Sequence, residues 1–333
     1  MPYSTNDKYS SLVTEWNAEM AAFVPTWMSF ASMVTDNAAA LRRWSDTPSG
    51  ILSDINPSDS ALDMTSTAAY GSVAEQTITP QAKGGGMYIH QLDSRLDSKL
   101  VDKTAGKLLR AAQQTIEKGV YDFLAATFGT LVDNAYSSGG TSAICSSPAA
   151  GVYPQSGGFH YDSSGDGTSD AQYATKITTA LSSSGLSAAR ELMRKQKTFK
   201  GIPAGFGMGP LTIVVPVELE DEAVQATRSA EFPQTFSAGD ENGFAATGAA
   251  VNPHFLRNYN IVTSGFLSGD ANDWWLVDAS NESPLKVWVP EVGKPTLNIW
   301  VNPATGNTEL SCSFYLKVFC DTPVAGIVGS SVS

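Results

Sequence analysis

The sequence predicts an α+β protein, on three patterns. Apolar residues recur at helical spacing from Leu92 to Leu131. Two stretches alternate with period two over 296–302 and 309–320. Between them, a short apolar strand is followed by a helix and then by further short strands. With 333 residues the chain can bury one elaborate domain or two.

Taken in order, Trp16, Met20, Phe23, Trp27 and Phe30 recur at three- and four-residue steps and read as a helix despite Pro25. These aromatics are either core or an arm that packs on a neighbour. Residues 65–90 are poor in large apolar side chains and read as two extended arms around a tip at Gly84-Gly85-Gly86. The stripe that follows would run about 60 Å if unbroken. Gly106 and Gly119 each cost it about 1 kcal/mol, and a kink at Gly106 is expected.

Residues 134–170 are rich in Gly, Ser and Pro and read as loop with short strands. A helix is expected over 187–197. Strand 211–215 closes at Pro216, and helix 218–229 carries acids in its first turn, where the macrodipole favours them. Further strands are expected at 260–264 and 274–277. The last pair, 296–302 and 309–320, flanks a Pro-Ala-Thr-Gly-Asn turn and forms a long hairpin. Leu297, Ile299 and Val301 share one face of its first strand. Leu310, Cys312, Phe314, Leu316, Val318 and Cys320 share one face of the second, which should pack on the Leu92–Leu131 stripe.

Charged residues make up 16% of the chain, well below the usual quarter, so much of the surface is neutral. Neighbouring subunits cover such surface, or it is a Ser/Thr/Gly-rich exterior with no partner. Lys and Arg number 21 and Asp and Glu 33, a net charge of −12, which argues against a groove gripping phosphates. An acidic wall around nucleic acid remains compatible with it. No apolar run approaches bilayer length, so no membrane partner is expected. Glu15, Glu19 and Pro25 interrupt the apolar stretch near 20–34, and no basic region precedes it, so no signal peptide is expected. Cys312 and Cys320 lie roughly 26 Å apart along one strand and cannot bridge each other. Cys145 makes the count odd, and free buried thiols are the simplest reading.

Catalytic chemistry finds little support. The three histidines, His90, His160 and His254, join no Gly-x-Ser-x-Gly elbow or His-Glu-x-x-His motif. Gly205-Phe206-Gly207-Met208-Gly209 precedes a strand and reads as a tight connection, not a dinucleotide loop. Asp162, Ser164, Asp166 and Asp170 space their oxygens as in a calcium loop, but Tyr173 stands where the bidentate Glu belongs. A polar surface loop is the favoured reading there. No enzyme activity, cofactor or metal is expected.

Residues 186–230 carry a family resemblance: a helix, Lys200-Gly201-Ile202-Pro203, a Gly-rich turn, strand Leu211–Val215 with its proline, and a helix opening Val217-Glu218-Leu219-Glu220. Asn260-Ile261-Val262, the Trp-bearing Asp273–Asp278 and the closing Leu316-Lys317-Val318 extend it over nearly the whole chain. This ordered sum resembles major capsid proteins of tailed bacteriophages with the HK97-type fold, including the Mu-like head subunits. The resemblance implies an N-terminal arm (1–57), an extended loop (58–91), a peripheral-domain spine helix (92–135), an axial domain (136–290) and return strands of the peripheral domain (291–333).

It further implies a virion shell protein, assembled in the host cytoplasm as hexamers and pentamers into an icosahedral head around double-stranded DNA. Scaffolding, portal and cement proteins are its implied partners, and it binds DNA without sequence specificity. Trp16, Phe23, Trp27, Lys83, Gly84, Gly85 and Gly86 are the candidate subunit-interface residues. In some relatives a loop lysine forms an isopeptide bond with a neighbour's asparagine, and Lys83 is the position such a bond would use. Two rival readings stand beside this one. An encapsulin-like compartment keeps the fold and would hold protein cargo. A secreted β-rich carbohydrate-binding protein would be a monomer that binds glycans.

Overall fold

A computed structural model describes residues 9–37, 41–44, 75–97, 99–128, 144–145, 159–161, 171–196, 203, 205–229, 252–267, 272–278, 285–320 and 326–331. In chain order the elements begin with α1 (Ser10–Ala21), β1 (Ala31–Val34), β2 (Leu41–Trp44), β3 (Glu75–Ile78), β4 (Gln81–Ile89), α2 (Gln91–Leu96) and α3 (Leu100–Ala125). Next come β5 (Phe159–Tyr161), β6 (Ala171–Tyr173), β7 (Lys176–Ile177), α4 (Ser183–Lys195), β8 (Leu211–Pro216) and α5 (Glu220–Arg228). The last are β9 (Tyr259–Ser264), β10 (Trp274–Asp278), β11 (Leu285–Trp288), β12 (Thr296–Val301), β13 (Thr308–Cys320) and β14 (Ile327–Ser330). The chain divides into two units. The first comprises Met1–Arg43, Gln76–Phe123 and Leu285–Phe319; the second comprises Trp44–Glu75, Leu124–Pro284 and Cys320–Ser333.

In the first unit, β1, β11, β13 and β12 lie side by side, and β4 pairs with β13. The hairpin registers Thr296 with Ser313 and Val301 with Thr308. Its predicted apolar face is buried from Leu310 to Cys320, as are Leu297 and Ile299. Val301 departs from that face: it ends the strand beside the turn and is exposed. Gly119 of α3 carries the ribbon. A Cβ built there would lie 3.1 Å from Leu316 Cδ2 and 3.7 Å from Val318 Cγ2, so the missing side chain lets strand and helix approach.

The spine is shorter than the stripe suggests. It breaks at Asp97, not at Gly106, and α3 passes through both glycines. Asp97 Oδ1 accepts from Lys99 N–H at 2.9 Å and Oδ2 accepts from Lys103 Nζ at 2.9 Å, so one carboxylate satisfies backbone and charge at the start of the new helix. Helix α3 spans about 39 Å at 1.5 Å per residue, and Leu92, outside it, is exposed.

The described part of the N-terminal segment is built into this unit. Helix α1 stops before Pro25, and a 3₁₀ turn over Thr26–Ser29 follows. Trp16, Trp27 and Phe30 are buried. Trp16 Nε1 donates to Ala105 O at 3.1 Å, and Thr26 N–H and hydroxyl donate to the Glu117 carboxylate. Strand β1 pairs in parallel with β11, where Trp288 Nε1 donates to Asp36 O at 2.8 Å.

The second unit is a sheet in the order β7-β14-β10-β8-β9. Strands β8 and β9 are parallel, in register from Leu211↔Tyr259 to Pro216↔Ser264. Every residue of β8 and β10 is buried, the continuous apolar run expected of central strands. Leu186, Ala189 and Met193 of α4 and Ala223 and Ala226 of α5 pack on one face with Ile213, Trp274 and Val328. Ser182 caps α4, accepting from Gly185 N–H at 3.1 Å, so the helix starts four residues before the expected Ser187. A 3₁₀ turn, Val217–Leu219, precedes α5.

Residues 291–319 lie in the first unit, but Ile327–Ser330 is not a return strand of it. It pairs with β10 and β7 in the second sheet. Gly329 permits this, because a Cβ there would sit 2.6 Å from the Phe128 ring and 2.9 Å from Cys145 Sγ.

Candidate assembly surfaces

The candidate interface residues separate by burial. Trp16 and Trp27 are core of the first unit, which corrects their assignment to a neighbour contact; Phe23 is half-buried. The triple glycine is also relocated. Gly84, Gly85 and Gly86 lie inside β4, opposite Ser313, Cys312 and Ser311, and form no tip. Glycine fits this strand because a Cβ on Gly84 or Gly86 would stand 3.1 Å from the Cys312 or Leu310 carbonyl oxygen; around Gly85 the space is open.

Strand β4 is exposed on both faces from Gln81 to Tyr88, with Lys83 opposite Phe314. Among the described residues its outer edge pairs with no strand. An unpaired edge offers a row of backbone donors and acceptors, and Met87 and Tyr88 add exposed apolar surface beside it. Asp162, Ser164, Asp166 and Asp170, spaced as in a calcium loop, lie outside the described residues. No His, Cys, Asp and Glu group among the described residues could hold a metal ion. No described helix is long and apolar enough to cross a membrane.

The second unit holds a feature that sequence spacing does not announce. A groove of about 360 Å³ is lined by Arg190, Arg194 and the Glu191–Lys195 ion pair of α4 and by His254 and Arg257 of the turn before β9. Arg190 Nη2 and Arg194 Nε both donate to Gly207 O at 3.2 Å. Gly207 has φ +76°, and its N–H donates to buried Asp278 Oδ2 at 2.6 Å. The glycine run is thus the tight connection expected, and it gathers two arginines at one carbonyl. Arg190 and Arg194 are visible in sequence as an i, i+4 pair, but Arg257 is joined to them only by folding.

Behind the groove, His254 is held by a polar cluster. The contacts fit a neutral ring whose Nε2–H donates to Ser183 O at 3.0 Å and whose Nδ1 accepts from Tyr259 O–H at 2.9 Å. Burial lowers the His254 pKa and raises that of Tyr259. Asn252 ties the same turn to α5, donating to Ala226 O at 2.8 Å and Ser229 O at 2.9 Å. The three cysteines form no disulfide and are buried; burial pushes the Cys145 thiol up to about 12, so it stays protonated. The described surfaces therefore offer edges and charged faces for other chains, and at the groove Ser187 Oγ also lies 3.0 Å from His254 Nε2.

Known proteins agree with this picture. A family model described as phage capsid protein matches residues 74–328. No curated protein sequence matches the chain. The capsid of cyanophage P-SCSP1u aligns with a TM-score of 0.51 at 10% identity, covering 91% of this chain and 86% of that one. The mature capsid of bacteriophage PhiM1 aligns at 0.50 with 12% identity, covering 93% and 88%. The SrpI encapsulin of Synechococcus elongatus PCC 7942 aligns at 0.49 with 10% identity, covering 93% and 88%. At these identities the solved structures speak to the fold alone, which is the α+β HK97-type capsid fold. With a family match over more than half its length, the chain belongs to the phage capsid protein family, as a structural major capsid protein of icosahedral shells.

Proposed function

We propose that this chain forms the hexamers and pentamers of a tailed-phage head, assembled in the host cytoplasm around double-stranded DNA. The observation that carries the reading is β4, a nine-residue strand held by β13 along one edge and exposed on both faces. A strand so placed is incomplete without another chain, and a second copy is the partner a shell supplies. Many such contacts, each weak, hold a subunit through effective concentration. The net charge of −12 keeps the wall from gripping DNA tightly. Beyond its own copies, this role calls for a scaffold, a portal at one vertex and cement proteins. Negative-stain microscopy of the expressed protein tests it: closed shells or capsomer rings are expected. A compact monomer at every concentration overturns the reading, and shells that package protein cargo in place of nucleic acid replace it with a compartment role.

A further inference from the structure

The two ends of the β8/β9 pair carry opposite, unmatched charge. At the N-terminal end, the groove brings together Arg190, Arg194 and Arg257, and Arg228 lines the adjoining groove beside Arg257. At the C-terminal end, Glu218, Glu220, Asp221 and Glu222 sit on the turn and first turn of α5, all exposed. No ion pair between described residues involves any of these eight; the pairs present join lysines to other carboxylates. The macrodipole of α5 accounts for one or two acids at its start, not for four.

The two clusters cannot neutralise each other within one chain. Strands β8 and β9 run six residues in register between them, about 17 Å at 3.3 Å per residue. That is twice the Debye length of about 8 Å at physiological salt. Exposed apolar residues accompany both clusters. Met208, Phe255 and Leu256 stand at the arginine end, and Val217 and Phe266 stand at the acidic end. Apolar anchors rimmed by charge are the composition of an interface, not of a solvated face.

We propose that the arginine groove of one subunit receives the acidic start of α5 from a second copy, head to tail. This deepens the shell reading and rests on it: it names which surfaces of the second unit meet. Such a contact is heterologous, so repetition closes a ring when the rotation allows. Four positive and four negative groups per subunit leave each contact balanced, while the chain as a whole stays acidic.

Charge exchange tests it. One variant carries Arg190→Glu, Arg194→Glu and Arg257→Glu; another carries Glu218→Lys, Glu220→Lys and Glu222→Lys; a third carries all six. Each single-sided variant should lose assembly at least tenfold in particle yield while keeping its circular dichroism, and the six-fold exchange should restore shells. An equimolar mixture of the single-sided variants can alternate only around even rings. It should therefore give hexamers, tubes or sheets but not shells that need pentamers. Single-sided variants that assemble like the parent overturn the proposal. So does a folded six-fold exchange that stays unassembled, or variants that lose only nucleic-acid content. Because Arg190, Arg194 and Arg257 also hold backbone carbonyls, a milder pair guards against misfolding. Leu256→Cys with Glu220→Cys, treated with a flexible bismaleimide, should give a ladder of oligomers in assembled particles. A lone monomer band from intact particles overturns the proposal. Parent protein that never assembles counts against the shell reading instead.

Discussion

Two glycines in one helix offer a controlled comparison of propensity and packing. Gly106 and Gly119 both lie inside α3, so replacing either by Ala gains about 0.5–1 kcal/mol of helix stability. At Gly106 a new Cβ meets nothing within 4 Å, and the gain should appear in full. At Gly119 it lands 3.1 Å from Leu316 Cδ2, closer than ordinary contact, so that methyl must shift. An off-rotamer leucine costs about 0.5–1.5 kcal/mol, which cancels the gain. Gly119→Leu has no room at all and should destabilise by about 1–3 kcal/mol. Urea unfolding of unassembled subunit, followed by fluorescence of buried Trp16 and Trp27, reads the difference. With an m of about 3 kcal/mol/M, Gly106→Ala should raise the midpoint by about 0.2–0.3 M, while Gly119→Ala leaves it near the parent value. An equal gain at both positions would refute the packing of β13 on this helix.

Three further outcomes follow from the geometry. Gly85→Ser should leave β4 protected in hydrogen exchange, whereas Gly84→Ser and Gly86→Ser, each aimed at a carbonyl oxygen 3.1 Å away, should free it from β13. Asn252→Ala leaves the Ala226 and Ser229 carbonyls and the His254 N–H without their partner and should cost about 2–4 kcal/mol in urea unfolding. Asn252→Asp, which keeps the acceptor, should lose part of that. His254 has its folded pKa depressed below 6.5 by burial, so the unfolded chain binds its proton first. Its contribution is complete above about pH 6.5 and is lost as pH falls through the folded value, so acid should weaken the parent more steeply than His254→Gln.

Elements whose own residues set their period were legible in the sequence. The alternation of 309–320 gave both the strand and its buried face, because side-chain direction in a strand depends only on parity. The apolar run at Leu211–Val215 gave a central strand for the same local reason. The spine was overextended because Leu92 continues the spacing while Asp97, a residue no stripe reveals, caps a new helix. Glycines 84–86 suggested a flexible tip, yet their lack of side chains serves close approach to β13, a partner more than 200 residues away. The arginine groove was invisible for a similar reason: Arg257 joins Arg190 and Arg194 only after the sheet has formed.

The interleaving of the two units sets the timing of folding during synthesis. The first sheet has β13 at its centre, and the second needs β14 beside β10, so neither can close until residues 308–320 and 327–330 have been made. At about 5–20 residues per second, the N-terminal aromatics wait many seconds for the strands that bury them. A chain interrupted before those strands has neither unit finished. Only subunits synthesised through both strands can then present the surfaces a growing shell accepts, so selection against incomplete copies is built into the order of the chain.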